Sequence, residues 1–205
     1  MYTVYLADTP NGQKISIALE ELELDYQRIH MNLAAGAQFA PDFLTISPNN
    51  KVPALTDHTR KLSIFESGAI LLHLAEQHGR LLPHDPAQRL EALQWMFLQV
   101  GSIGPMLGQL WWFRHASPTP IPQALERYTK EAERLFGVFE RRLAQQPCLG
   151  GAQYGIADIA SFPWMRTHDE LGLNVTAWPH VQQWLQRIEQ RPAVIRGLAA
   201  AKELA

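Results

Sequence analysis

Three short segments combine residue types that could hold an anionic, peptide-like ligand. In ADTPNGQKI (7–15) the hydroxyl of Thr9 and the carboxamide of Asn11 stand before a helical run. Free N–H groups and the helix dipole there favour a thiolate, phosphate or carboxylate. The plainer alternative is that Thr9, or Asn11 with Gly12, only caps the helix. In NNKVPAL (49–55), Val52–Pro53 opens a strand. A cis bond would turn the Val52 backbone outward to pair with an extended peptide; a trans proline on an edge strand is the commoner alternative. In FESGAI (65–70), Ser67 and a helix start can hold a carboxylate while Glu66 holds an ammonium group. Those are the two charges of an α-amino acid. The alternative is an ordinary serine cap beside an exposed glutamate. ADTPNGQKI itself offers no cysteine, tyrosine or serine as a nucleophile.

The elements that must position these segments follow from periodicity. YTVYLA reads as a buried strand, and KISIALEELEL as a helix with Ile15, Leu19 and Leu22 at helical spacing. DYQRIHM alternates as a second strand, the segment after Pro53 gives a third, and Lys61 to Phe65 a fourth. Ser67 is expected to cap GAILLHLAEQH, with Gly79 ending that helix. The order β-α-β then β-β-α describes a small α/β layer. The proline-bearing LLPHDPA (81–87) is the expected linker. Beyond it every segment reads as helix. The run from Gln88 to Phe113 is expected to be one long helix bent near Gly104–Pro105. IPQALERYTKEAERLFGVFERRL, a helix holding Pro163, HVQQWLQRIEQR and PAVIRGLAAAKEL follow. Two domains are expected, 1–81 and 88–205.

Composition removes several function classes. The chain has 205 residues, 46% hydrophobic and 19% charged, with a net charge of −2. No polybasic surface for nucleic acid is expected, and ERYTKEAER reads as a solvated helix face. Cys148 is the single cysteine, so an internal disulfide and a CxxC pair are impossible. HLAEQH (73–78) lacks the spacing of a zinc motif, and no metal site is expected. No signal-like start or membrane-length apolar run is present, which points to the cytoplasm.

Taken together, strand–TPNGQKI–helix, SPNNKVPAL, FESGAILLHLAE and an all-helical half resemble a glutathione transferase over essentially the whole chain. NKVPAL and ESGAI are shared across many bacterial members. TPNGxKI with SPNNKVP, supported by ERY, LGG and IADIA, is narrower and similar to the Nu class of glutathione-dependent disulfide-bond reductases. The resemblance implies a thioredoxin-like N-terminal domain, a helical C-terminal domain and a homodimer. It implies that Thr9 and Asn11 face the glutathione sulfur and favour its thiolate. Gln38, Asn50 and Lys51 would contact the glycyl end. Val52 would pair with the cysteinyl backbone beside cis-Pro53, and Glu66 and Ser67 would hold the γ-glutamyl group. Arg127, in ERY, would reach the partner subunit's ligand, and Trp111 and Trp112 would line a substrate pocket. Glutathione would supply the thiol, two molecules per site completing the exchange. Conjugation or peroxide reduction is the alternative activity, and a non-catalytic interaction protein the alternative class. One departure is Gly155 where the family's second-domain capping motif usually has Ser or Thr, with Asp158 three residues on in a structural role.

Overall fold

The computed structural model describes residues 1–202. The elements run β1 (Tyr2–Leu6), α1 (Pro10–Glu21), β2 (Tyr26–His30), a 3-10 turn (Ala37–Phe39), α2 (Pro41–Ile46), β3 (Ala54–Asp57), β4 (Leu62–Phe65) and α3 (Ser67–His78). Then come α4 (Pro86–Leu98), a π-helical turn (Gln99–Ile103), α5 (Gly104–His115), α6 (Pro122–Leu143), α7 (Ile156–Met165), a 3-10 turn (Val175–Ala177), α8 (Pro179–Glu189) and α9 (Pro192–Ala201). The chain forms two compact units. One holds Met1–Leu82 with the segment from Gln190 onward, the other Pro83–Glu189.

The first unit is built on a four-stranded mixed sheet of order β2-β1-β3-β4. β1 runs parallel to β2 and antiparallel to β3, and β3 pairs antiparallel with β4. Its core gathers Val4 and Leu6 of β1, Ile15 and Leu19 of α1, Leu55 of β3, and Ile70 and Leu74 of α3, all fully buried. A separate cluster joins Met31, Phe43 and Ala54, flanked by Tyr5, Ile29 and Ile46. It uses α2, a short helix that the periodicity of the sequence does not announce.

α1 is buried on nearly every side because α3 and α9 both pack on it. A Cβ on Gly197 of α9 would lie 2.6 Å from the Ile17 Cα, so the two helices meet backbone to backbone. Arg191 closes this seam with a two-pronged contact to Glu21 at 2.6 and 2.9 Å, and Arg196 meets Glu20 at 2.7 Å.

In the second unit all named elements are helical, with an isolated bridge between Cys148 and Gly151. Phe136 and Phe139 of α6, Phe162 of α7 and Trp184 of α8 fill its core. The expected long helix runs without a gap from Pro86 to His115 as α4, the π-helical turn and α5, and its irregularity, the π-helical turn, directly precedes Gly104–Pro105. A proline within a continuous helix removes a hydrogen bond and crowds the preceding turn, and here that turn is widened to a π turn while the backbone stays helical at Ile103 and Gly104. α7 begins at Gly155, as expected, and Asp158 accepts a bond from the Gly155 N–H at 3.1 Å. The four-strand mixed sheet followed by a helical half is the fold expected from the sequence. The expected last helix extends to Leu204, and its final residues lie outside those described.

Candidate active site

Thr9 sits in extended conformation as the N-cap of α1, with Pro10 in the first turn. Its Oγ1 accepts from the Gly12 N–H at 3.2 Å. Gly12 is required by close approach, since a Cβ there would lie 2.3 Å from the Ala7 carbonyl oxygen. That contact explains why the helix start is N-G rather than N-X. The cap belongs to Thr9 and not to Asn11. A hydroxyl that accepts a cap bond still carries its own proton, so capping leaves Thr9 a donor for a ligand.

Beyond β1 the chain reaches a cavity of about 260 Å³. Asn11 lines it from the first turn of α1; Lys51, Val52 and Pro53 line it from the loop before β3; Glu66 and Ser67 line it from the start of α3. Ser47, Asn49 and Phe65 complete the wall. The Val52–Pro53 peptide is cis. The β1–β3 ladder begins only at Ala54, so Val52 lies at its mouth. The buried Ser47 holds the loop by donating to the Lys51 carbonyl at 2.9 Å. Asn50 adopts φ 50°, a left-handed turn conformation that asparagine tolerates.

Glu66 is the N-cap residue of α3, with φ 71° and ψ 115° and no side-chain cap bond. For a residue with a Cβ this is a sparsely populated region, costing about 1–3 kcal/mol, and such outliers cluster at ligand clamps. The cap position expected for Ser67 is therefore occupied by Glu66. Ser67 is the first residue of α3 and its Oγ instead accepts from the Lys14 Nζ at 3.2 Å. Lys14 is 2% exposed. Loss of hydration pushes its pKa down to about 7, partly opposed by the Glu66 carboxylate.

The arrangement thus combines an anion-favouring corner with a carboxylate. The N-terminus of α3, Ser67 and Lys51 favour negative charge, and Glu66 favours positive charge. A zwitterionic amino-acid end with an attached extended peptide satisfies both.

Of the residues singled out from sequence, Asn11, Lys51, Val52, Pro53, Glu66 and Ser67 come together on this cavity. Thr9 caps the helix that carries Asn11. Gln38 lies in the 3-10 turn before α2, its amide donating to the Leu33 carbonyl at 3.4 Å, and it does not line the cavity. Asn49 does, whereas Asn50 forms the turn beside it.

The remaining three lie on the second unit. Arg127 of α6 lines a different cavity of about 630 Å³, with Tyr128, Glu131 and Arg134. Trp111 and Trp112 of α5 are exposed, and the Trp111 indole donates to Glu170 at 3.2 Å.

Sequence reasoning passed over Lys14, Asn49 and Phe65. Lys14 was legible in principle: it has Pro10 and Ala18 four residues away on either side and Ile17 three residues on. A lysine with no acidic neighbour at helical spacing, inside an apolar run, is a buried candidate.

The fold and this cavity define a transferase class, and family models agree. Residues 2–76 match the glutathione S-transferase N-terminal domain and residues 105–192 its C-terminal domain. The chain belongs to the glutathione S-transferase family. It is 49% identical over 207 residues to disulfide-bond oxidoreductase YfcG of Escherichia coli K12, covering 98% of this chain and 96% of that protein. It is 39% identical to disulfide-bond oxidoreductase YghU of the same organism, covering 95% and 73%. Among solved structures, a glutathione transferase family member from Pseudomonas fluorescens with two glutathione bound superposes with a TM-score of 0.90. It is 41% identical, with 96% and 92% of the two chains covered. The family read from TPNGQKI, NKVPAL and FESG is therefore the one found.

Proposed function

We propose that the chain is a glutathione-dependent disulfide-bond reductase. The observation that carries the reading is the shared cavity: Glu66 and Ser67 at the start of α3, Val52 at the mouth of the β1–β3 ladder, and Asn11 on the first turn of α1. These residues would take, in order, the γ-glutamyl zwitterion, the cysteinyl backbone and the sulfur of one extended tripeptide. Support comes from the similarity to the two E. coli proteins named as disulfide-bond oxidoreductases.

When bound, glutathione supplies the thiols: two become glutathione disulfide while one substrate disulfide becomes two thiols. The protein's part is to bind, orient and stabilise charge. Ser67 and the α3 N-terminus hold the carboxylate, and Glu66 holds the ammonium. Val52 would offer its backbone N–H and C=O to the peptide. Asn11, Thr9 and the positive end of α1 would lower the pKa of the thiol placed there. Each pK unit requires about 1.4 kcal/mol of preference for the anion, roughly one hydrogen bond to a charged sulfur. Gln38, Asn50 and Lys51 would serve the glycyl end. In a cytoplasmic homodimer Arg127 would act on the ligand of the other subunit. The exposed rings of Trp111 and Trp112 would receive an apolar substrate, and two glutathiones per site would complete the exchange.

The test compares glutathione-dependent rates on bis(2-hydroxyethyl) disulfide and on 1-chloro-2,4-dinitrobenzene. Disulfide reduction should dominate, and Thr9→Ala and Asn11→Ala should each slow it by about tenfold or more, the loss of one hydrogen bond to the thiolate. Dominant conjugation, or unchanged reduction in both variants, would sink the reading.

A further inference from the structure

Lys14 does not line the cavity; it stands behind Ser67, which does. An ammonium has three donors and no acceptor, so at the 3.2 Å contact Lys14 donates and the Ser67 Oγ accepts. The Ser67 proton is then left for a second partner, and the cavity is on that side. An apolar side chain in place of Lys14 would impose no such polarity on the hydroxyl, and a carboxamide, which can accept as well as donate, would not fix it.

The position is also costly for a charge. Lys14 is 2% exposed, and burial is the main reason its pKa falls to about 7. An apolar side chain of similar length would fill the same place on α1 without that penalty. One place where the charge acts is Ser67, whose other side faces the cavity.

The geometry points to Lys14 as a positioning residue for carboxylate recognition: it fixes Ser67 as a donor into the cavity and sets a buried positive charge behind it. The carboxylate is the one on the γ-glutamyl unit, so the inference rests on the glutathione reading and deepens it. Glu66 takes the neighbouring ammonium, and together the three residues select an intact α-amino-acid end over either charge alone.

The titratable and charged groups on the elements packed against α1 are identifiable. α3 and its N-cap bring His73, Glu76, His78 and Glu66; β1 brings Tyr2 and Tyr5; α9 and the residue before it bring Arg196 and Arg191, engaged with Glu20 and Glu21. Of these, Glu66 acts on Lys14 to favour its charged form.

The experiment measures binding of glutathione and of 4-aminobutanoyl-Cys-Gly, which is glutathione without the γ-glutamyl carboxylate. Wild type should prefer glutathione by about tenfold or more, the size of one charge-assisted contact. Lys14→Gln should erase most of that preference by weakening glutathione alone, and Lys14→Arg should retain it. Equal weakening of both ligands, or of neither, would overturn the role of Lys14. If Lys14→Gln does not fold, wild type decides. A group titrating near pH 7 loses about tenfold in its protonated fraction between pH 6 and pH 8, and the preference should fall in parallel. A preference constant across that range would overturn the inference. Wild type that binds neither ligand would overturn the glutathione reading itself, and this inference with it.

Discussion

Lys14 and Asp158 are each buried charges near a helix start, one in each unit, and their surroundings differ in kind. Asp158 is fully buried and accepts from the Leu149 N–H at 2.9 Å, the Gly155 N–H at 3.1 Å and the Trp184 indole at 2.9 Å. Burial raises its pKa, and these donors oppose the rise. All three are rigid protein groups, so the carboxylate ties the loop before α7, the first turn of α7 and α8 into one piece. Lys14 has among its partners a serine whose other side faces a cavity. The Leu149, Gly155 and Trp184 donors to the Asp158 side chain all belong to the fold, whereas one partner of Lys14 opens on a cavity and acts on what enters.

The largest expected effect tests the structural member of the pair. Asp158→Ala leaves three buried donors without an acceptor, at about 1–3 kcal/mol each, and should lower unfolding stability by about 3–5 kcal/mol. Urea titration would read this, and glutathione affinity per folded molecule should be unchanged. Asp158→Asn keeps one oxygen and should cost less. A loss of affinity without a loss of stability would reverse the contrast.

Gly197→Ala should come next. Its Cβ would press on Ile17 backbone atoms at 2.6 and 2.7 Å, which cannot give as a side-chain tip can. About 1–3 kcal/mol of destabilisation is expected. The same measurement that shows this should show glutathione binding intact, dividing α1 into a structural side and a ligand side.

Lys14→Met should do the opposite of Asp158→Ala: unfolding stability equal to wild type or higher, with glutathione affinity down by about tenfold. The pH dependence has a definite sign. The folded pKa of about 7 lies below the ordinary 10.5, so between those values the unfolded chain holds more protons than the folded one. Wild-type stability relative to Lys14→Met should therefore be lowest and flat below pH 7, and climb from there toward 10.5. Urea midpoints of both proteins at pH 6, 8 and 9 would reveal a climb, or its absence.

The smallest effect belongs to Cys148. Cys148→Ala should leave the rate of disulfide reduction within about twofold, because the thiols come from glutathione. A large loss would mean that the reactive sulfur has been placed wrongly.

The strands and most helices were legible because their apolar spacing states which face is buried. The cavity was legible for a different reason: TPNG, NKVP and ES are turn and cap chemistry, and such local signals survive without knowledge of tertiary contacts. What failed did so where packing decides. Ser67 reads as a cap in any window of sequence, and only the arrival of Lys14 from α1, 53 residues earlier, redirects its hydroxyl. The backbone contact of α9 with α1 was hidden because a helical period tells which side is apolar, not what meets it. α2 was missed because six residues are too short to show a period. Gly104–Pro105 marked a bend in the long helix, but not the π-helical turn that precedes it.

The central claim is that the protein contributes no sulfur and instead favours the thiolate of bound glutathione. The most direct test is the ultraviolet absorbance of the thiolate in Cys148→Ala protein saturated with glutathione, followed from pH 5 to pH 9. The expected result is a bound thiol that titrates at least about one unit below free glutathione, moving back toward the free value in Asn11→Ala. A bound thiol that titrates with the free one would contradict the account.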